Sequence, residues 1–205
     1  MGNQSGRSMI EMLGVLAIVG ILSVGGIIGY SKAMTKYRIN KWTEEMTFVL
    51  QNFITYKKDW MQIAQKQGLI NITKYMRNMG IFPMGWKEYT ENELYDSFGS
   101  LIVFAAYPDA IFFRTKIKTE HTEFTQICLQ YWVNIIIPYS EYIYYVHMYG
   151  TEKDSGGRNE ENKYYGNIYC TQDKKCIRNL QISDIVAKCI KAEKNDSTSI
   201  SVYFK

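Results

Sequence analysis

The chain has 205 residues, a net charge of +4 and 46% hydrophobic content, a length that suits one domain plus an anchor. Its basic residues are scattered along the sequence, so the order of residues gives no nucleic-acid footprint. Four cysteines (Cys128, Cys170, Cys176 and Cys189) lie in the C-terminal half, and 17 tyrosines suit an extracytoplasmic, β-rich surface.

Met1–Gly6 is short and polar. It fails the myristoylation pattern because Gly stands at position six, where Ser or Thr is needed. From Met9 to Tyr30 the chain is apolar, with Glu11 as its only charge. At ~1.5 Å per residue, a helix over this run crosses a hydrocarbon core about 30 Å thick. A carboxylate in such a run costs roughly 2.5–3.5 kcal/mol at mid-membrane, and less near an end, so Glu11 calls for a partner. The run has no Ala-x-Ala cleavage site, which argues against an ordinary signal peptide. Gly14, Gly20, Gly25, Gly26 and Gly29 weaken the helix in water, and Gly25 and Gly29, four apart, suit close packing of helices in a membrane.

Ile39, Trp42, Met46, Val49, Phe53, Tyr56, Trp60 and Ile63 recur at spacings of three and four. They predict one amphipathic face continuing the same helix to about Gln67, with Gly68 as its stop. Asn71 is placed to cap a short helix, Ile72–Met79, ending at Gly80. Ile81–Pro83 reads as a loop and Thr90–Asp96 as a turn of helix. Ser100–Tyr107 and Ile111–Lys118 predict a hairpin turning at Pro108-Asp109. Acidic Glu120 and Glu123 open a helix that Pro138 ends after Ile136. Tyr142–Tyr149, Tyr164–Tyr169 and Thr198–Phe204 read as strands, Thr151–Lys163 as a polar loop, and Ser183 as the cap of a helix reaching Lys191.

Catalytic signals are sparse. His121 and His147 are the only histidines, and HExxH, phosphate-loop and GxSxG patterns are absent from the sequence. Asp154-Ser155-Gly156-Gly157 is like a serine-protease nucleophile region but sits in a charged loop without a placed His–Asp pair; a Gly-rich turn explains it. Cys170 and Cys176 are too far apart for a zinc knuckle, and no ligand ladder for calcium accompanies Glu152 and Asp154. The sequence therefore calls for no catalytic residue, metal or cofactor. An even number of cysteines beyond a membrane anchor points to disulfides in an oxidising compartment, with three connectivities open.

Gly6 followed by Arg7-Ser8-Met9-Ile10-Glu11-Met12-Leu13 resembles the prepilin signature of type IV pilins and pseudopilins. The resemblance implies a leader, Met1–Gly6, cut by prepilin peptidase between Gly6 and Arg7, with Arg7 then N-methylated. It implies that Glu11, fifth residue of the mature chain, pairs with the terminal amine of a neighbouring subunit during assembly. Many members start the mature chain with an apolar residue where this one has Arg7. A looser likeness to the globular head of type IVb pilins runs through Ile81-Phe82-Pro83, Leu94–Gly99, Cys128 with Trp132, and Cys189 before the last strand. By that likeness Cys128 pairs with Cys189, and Cys170 and Cys176 then close a small local loop.

The fold so implied is α+β: a spine helix over residues 7–67, its 9–30 part membrane-spanning, packed on a small antiparallel-sheet head at 68–205. The function implied is a major or minor pilin of a type IVb-like pilus. Its partners would be other pilin subunits, the peptidase, the inner membrane and the assembly machinery. A secretion pseudopilin and a signal-anchored exported domain that does not polymerise are the alternatives. Lys32, Lys36, Arg38 and Lys41 follow the apolar run and by the positive-inside rule would hold the C-terminal side in the cytoplasm. The cysteines and the family likeness place it outside, and we follow these.

Overall fold

The computed structural model describes residues 9–118, 123–150, 162–193 and 197–205. The chain divides into two units, Met1–Lys41 and Trp42–Lys205. Helix α1 runs Met9–Thr55 and α2 runs Lys57–Gln67. The predicted single helix is thus interrupted at Tyr56, although Tyr56 N–H still donates to Asn52 O (3.1 Å) and Trp60 N–H to Tyr56 O (3.0 Å). Beside the interruption the Asn52 and Thr55 side chains bond back to the Phe48 and Gln51 carbonyls, competing with the backbone ladder. Gly68, at φ +80°, ends α2 in a conformation L side chains rarely adopt.

In the second unit α1 buries Trp42, Met46, Val49 and Phe53 of the predicted face completely, and Leu50, outside that stripe, with them. Phe53 meets Phe104 and Phe204 edge-on, with ring centres 5.1 and 6.1 Å away, and Phe113 stacks beside Phe204 at 6.3 Å. These rings form the contact between the helix and one antiparallel sheet. Among the described residues the sheet has strands β1 (Ile70–Asn71), β2 (Lys87–Thr90), β3 (Glu93–Tyr95), β4 (Leu101–Ala106), β5 (Ile111–Lys118), β6 (Ile143–Gly150), β7 (Lys163–Tyr165) and β8 (Ser197–Phe204). The order is β2-β3-β4-β5-β8-β6-β7, with β1 also on β4. The C-terminal strand therefore lies inside the sheet, pairing Ile111–Lys118 on one side and Ile143–Gly150 on the other.

Helix α3 (Thr73–Asn78) starts where Asn71 Oδ1 accepts from Thr73 N–H (2.9 Å). Residues 90–96 are not a helical turn: β2 and β3 form a hairpin there. One isolated turn fixes several dihedrals for a single hydrogen bond, whereas β3 pairs Leu94 and Tyr95 with Ile102 and Leu101 on the edge of β4. Arg77 Nη1 holds the outer strand through Glu88 (2.7 Å).

The helix expected up to Ile136 is α-helical over Phe124–Gln130 (α4) and π-helical over Tyr131–Ile136. The wider turn, closed by Ile137 N–H to Trp132 O (2.9 Å), lets Tyr131, Trp132, Ile135 and Ile136 all reach the core. Helix α5 (Ile182–Ala192) is opened by a capping box of Gln181 and Asp184 rather than by Ser183. The strand expected at Tyr164–Tyr169 is confined to β7, with a 3-10 turn over Asn167–Tyr169.

Candidate functional site

Of the residues singled out for processing and assembly, Gly6 and Arg7 lie outside the described residues. Glu11 lies in the first turn of α1 and is exposed. After it come Met12, Leu13, Val15, Leu16, Ile18, Val19, Ile21, Leu22, Val24, Ile27, Ile28 and Tyr30, each more than half exposed. This part of α1 is apolar on every side, and it is long and apolar enough to cross a membrane. Ser23 Oγ is satisfied within the helix by the Val19 carbonyl (2.7 Å), so its hydroxyl does not spoil the apolar surface. A Cβ added at Gly14, Gly20, Gly26 or Gly29 would meet nothing within 4 Å among the described residues.

In the second unit the cysteines are joined as Cys128–Cys189 and Cys170–Cys176, with Cα separations of 5.8 and 5.5 Å. The first bridge ties α4 to α5, and α5 leads directly into β8. Residues 151–161 of the polar loop, with Asp154 and Ser155, lie outside the described residues, as do His121 and Glu120. Among the described residues no cluster of three His, Cys, Asp or Glu side chains is placed to hold a metal.

Sequence reasoning missed the polar centre of this unit. Asp96, 4% exposed, follows β3 and faces inward. Its Oδ1 accepts from the Phe98 and Ser100 amides (2.9 and 2.8 Å), and its Oδ2 from Trp42 Nε1 (2.9 Å) and the Tyr131 hydroxyl (3.1 Å). Tyr131 is also bonded to Thr115 Oγ1 at 2.8 Å. Burial pushes the Asp96 carboxyl above its ordinary range, against the pull of its four donors. Burial and the neighbouring carboxyl push the Tyr131 phenol far up, so it stays protonated and can donate. Nearby, Glu45 of α1 accepts from Trp86 Nε1 (3.1 Å) and from the Ser97 hydroxyl, and Asn134 Nδ2 donates to Thr43 Oγ1 (3.0 Å).

These contacts fix Trp42–Thr55 of α1 to the sheet in one register. Both Asp96 oxygens are saturated by partners inside the protein, although the residue borders an open cleft of about 630 Å³ that Gly85, Lys87, Tyr95, Ser97 and Lys118 also line. Chemically the arrangement is a rigid mount for a helix, joined in sequence to an exposed apolar segment. Comparison with family models, with curated proteins and with solved structures finds no match to this chain.

Proposed function

We propose that the chain is a non-enzymatic structural subunit, major or minor, of a type IV pilus of the type IVb-like kind. Its leader is removed after Gly6, and its apolar helix then moves from the inner membrane into a filament core. The observation that carries this reading is Glu11: an exposed carboxylate one turn into an apolar helix, five residues after Gly6. In hydrocarbon a carboxylate is costly, and a neighbouring subunit's new N-terminal amine, opposite in charge, offsets part of that cost while fixing axial register. Repetition of that contact is heterologous and head-to-tail, so it generates an open helical polymer. Gly14, Gly20, Gly26 and Gly29, each with open space for a Cβ among the described residues, suit close helix packing in such a core.

The test is the intact mass and N-terminal sequence of the protein from its native membrane, without reductant. A chain beginning at methylated Arg7 and four hydrogens lighter than its reduced form supports the reading. A chain still beginning at Met1, in a host whose other prepilins are cut, leaves an anchored exported domain that does not polymerise.

A further inference from the structure

The face of the sheet turned away from α1 carries a charge pattern that the linear sequence hides. Strands β4 to β8 contain no Asp or Glu, but they contain Arg114, Lys116, Lys118 and Lys163; beyond them β3 carries one acid, Glu93, on the same side as Tyr95. Side chains alternate along a strand, and the buried positions Phe113, Thr115 and Ile117 send Arg114, Lys116 and Lys118 to the outer face, where all three are exposed. Pairing sets them in rows. Arg114 stands opposite Ser201, Ser201 opposite His147, and His147 opposite Lys163. Lys116 stands between Leu101 and Ser199, with Tyr149 beyond Ser199 and Tyr95 beyond Leu101.

Ser199 and Ser201 are the small side chains in the middle of this face, between the cations of β5 and the rings of β6. Ser201 Oγ is buried at its floor with no partner among the described residues. No carboxylate among the described residues lies within ion-pair distance of Arg114, Lys116 or Lys118; Arg114 lies 5.9 Å from the Phe112 ring centre.

We infer that this outer face is a binding platform for single-stranded nucleic acid, with Arg114, Lys116 and Lys118 on successive phosphates. Alternate residues of a strand stand about 6.7 Å apart, close to the repeat of an extended phosphodiester backbone. A row at that pitch neutralises one charge per nucleotide, and flanking Tyr95 and Tyr149 offer rings to bases leaving the backbone. A duplex presents its phosphates on a curved surface that a row along one strand meets only in part. The platform is independent of filament assembly.

The test uses the full chain in detergent micelles and a fluorescently labelled single-stranded oligodeoxythymidylate, with anisotropy followed against salt. The expected result is binding at about 50 mM salt whose log K falls with log salt at a slope of about −2, from three phosphates at ~0.7 each. The triple variant R114E/K116E/K118E loses at least tenfold in affinity while keeping its thermal midpoint, and R114K/K116R/K118R binds as the parent does. Should the triple reversal fail to fold, K118E alone, at the end of β5, is expected to lower the slope by about 0.7. The inference is overturned by any of three results: no binding at low salt, wild-type affinity in a folded charge-reversed chain, or equal affinity for a duplex or a polyuronate.

Discussion

Trp42 Nε1 donates to Asp96 Oδ2 at 2.9 Å, joining residues 54 apart in sequence. This bond fastens α1 to the loop between β3 and β4 at a depth where neither group can turn to water. In Asp96→Asn an amide NH2 takes the place of Oδ2 and faces the Trp42 N–H, donor against donor. Tyr131 can rotate to accept, but Trp42 cannot. A loss of about 1–3 kcal/mol in unfolding free energy is expected, followed by Trp fluorescence in denaturant. An unchanged midpoint would mean that the bond contributes nothing.

The same carboxyl gives a pH dependence of defined sign. Burial raises its folded-state pKa above the unfolded value, so between those two values the native state binds more protons. Stability from this group is full below the unfolded value, about 3.9, and is lost as pH rises through the folded one. The stability gap between wild type and Asp96→Asn should therefore shrink from acid toward neutral pH. A gap that widens with pH would show that the four donors outweigh burial and hold Asp96 ionised.

Cys128–Cys189 closes a loop spanning 61 positions and Cys170–Cys176 one spanning 6. On the chain-entropy account these are worth about 4 and about 2 kcal/mol. Cys128→Ala/Cys189→Ala should accordingly cost more than Cys170→Ala/Cys176→Ala in denaturant midpoint. It should also speed hydrogen exchange in β8, because the bridge anchors the helix that delivers this strand.

Gly166 follows β7, where a Cβ would lie 1.8 Å from the Ile143 carbonyl oxygen and 2.6 Å from that of Ser140. Both obstacles are backbone and cannot rotate aside. Gly166→Ala should destabilise by about 3 kcal/mol or more, separating β7 from β6. Gly80→Ala is a useful contrast: open space surrounds its Cβ, and only the positive φ resists the substitution. Equal thermal shifts in the two variants would contradict the steric account.

Glu11→Gln removes the charge without changing shape. If the proposed assembly role holds, filaments disappear while membrane insertion and both disulfides persist. An anchored domain that does not polymerise would be indifferent to the change.

Period and length alone determined the N-terminal helix (though not its interruption at Tyr56), its buried face at Trp42, Met46, Val49 and Phe53, the β4–β5 hairpin and the closing strand, because these patterns act within a few residues. The hairpin at 87–95 was not legible, since Glu93–Tyr95 becomes a strand only against the edge of β4. Nor was the π-helical turn, which the core imposes to bury four side chains. Asp96 reads as an ordinary surface acid until residues 42, 98, 100 and 131 arrive around it. The same holds for Arg114, Lys116 and Lys118: among scattered charges they are unremarkable. They become one row beside the serines only when β8, from the far end of the chain, inserts between β5 and β6. Local periodicity fixes which side of an element is apolar; only long-range pairing decides which polar groups meet.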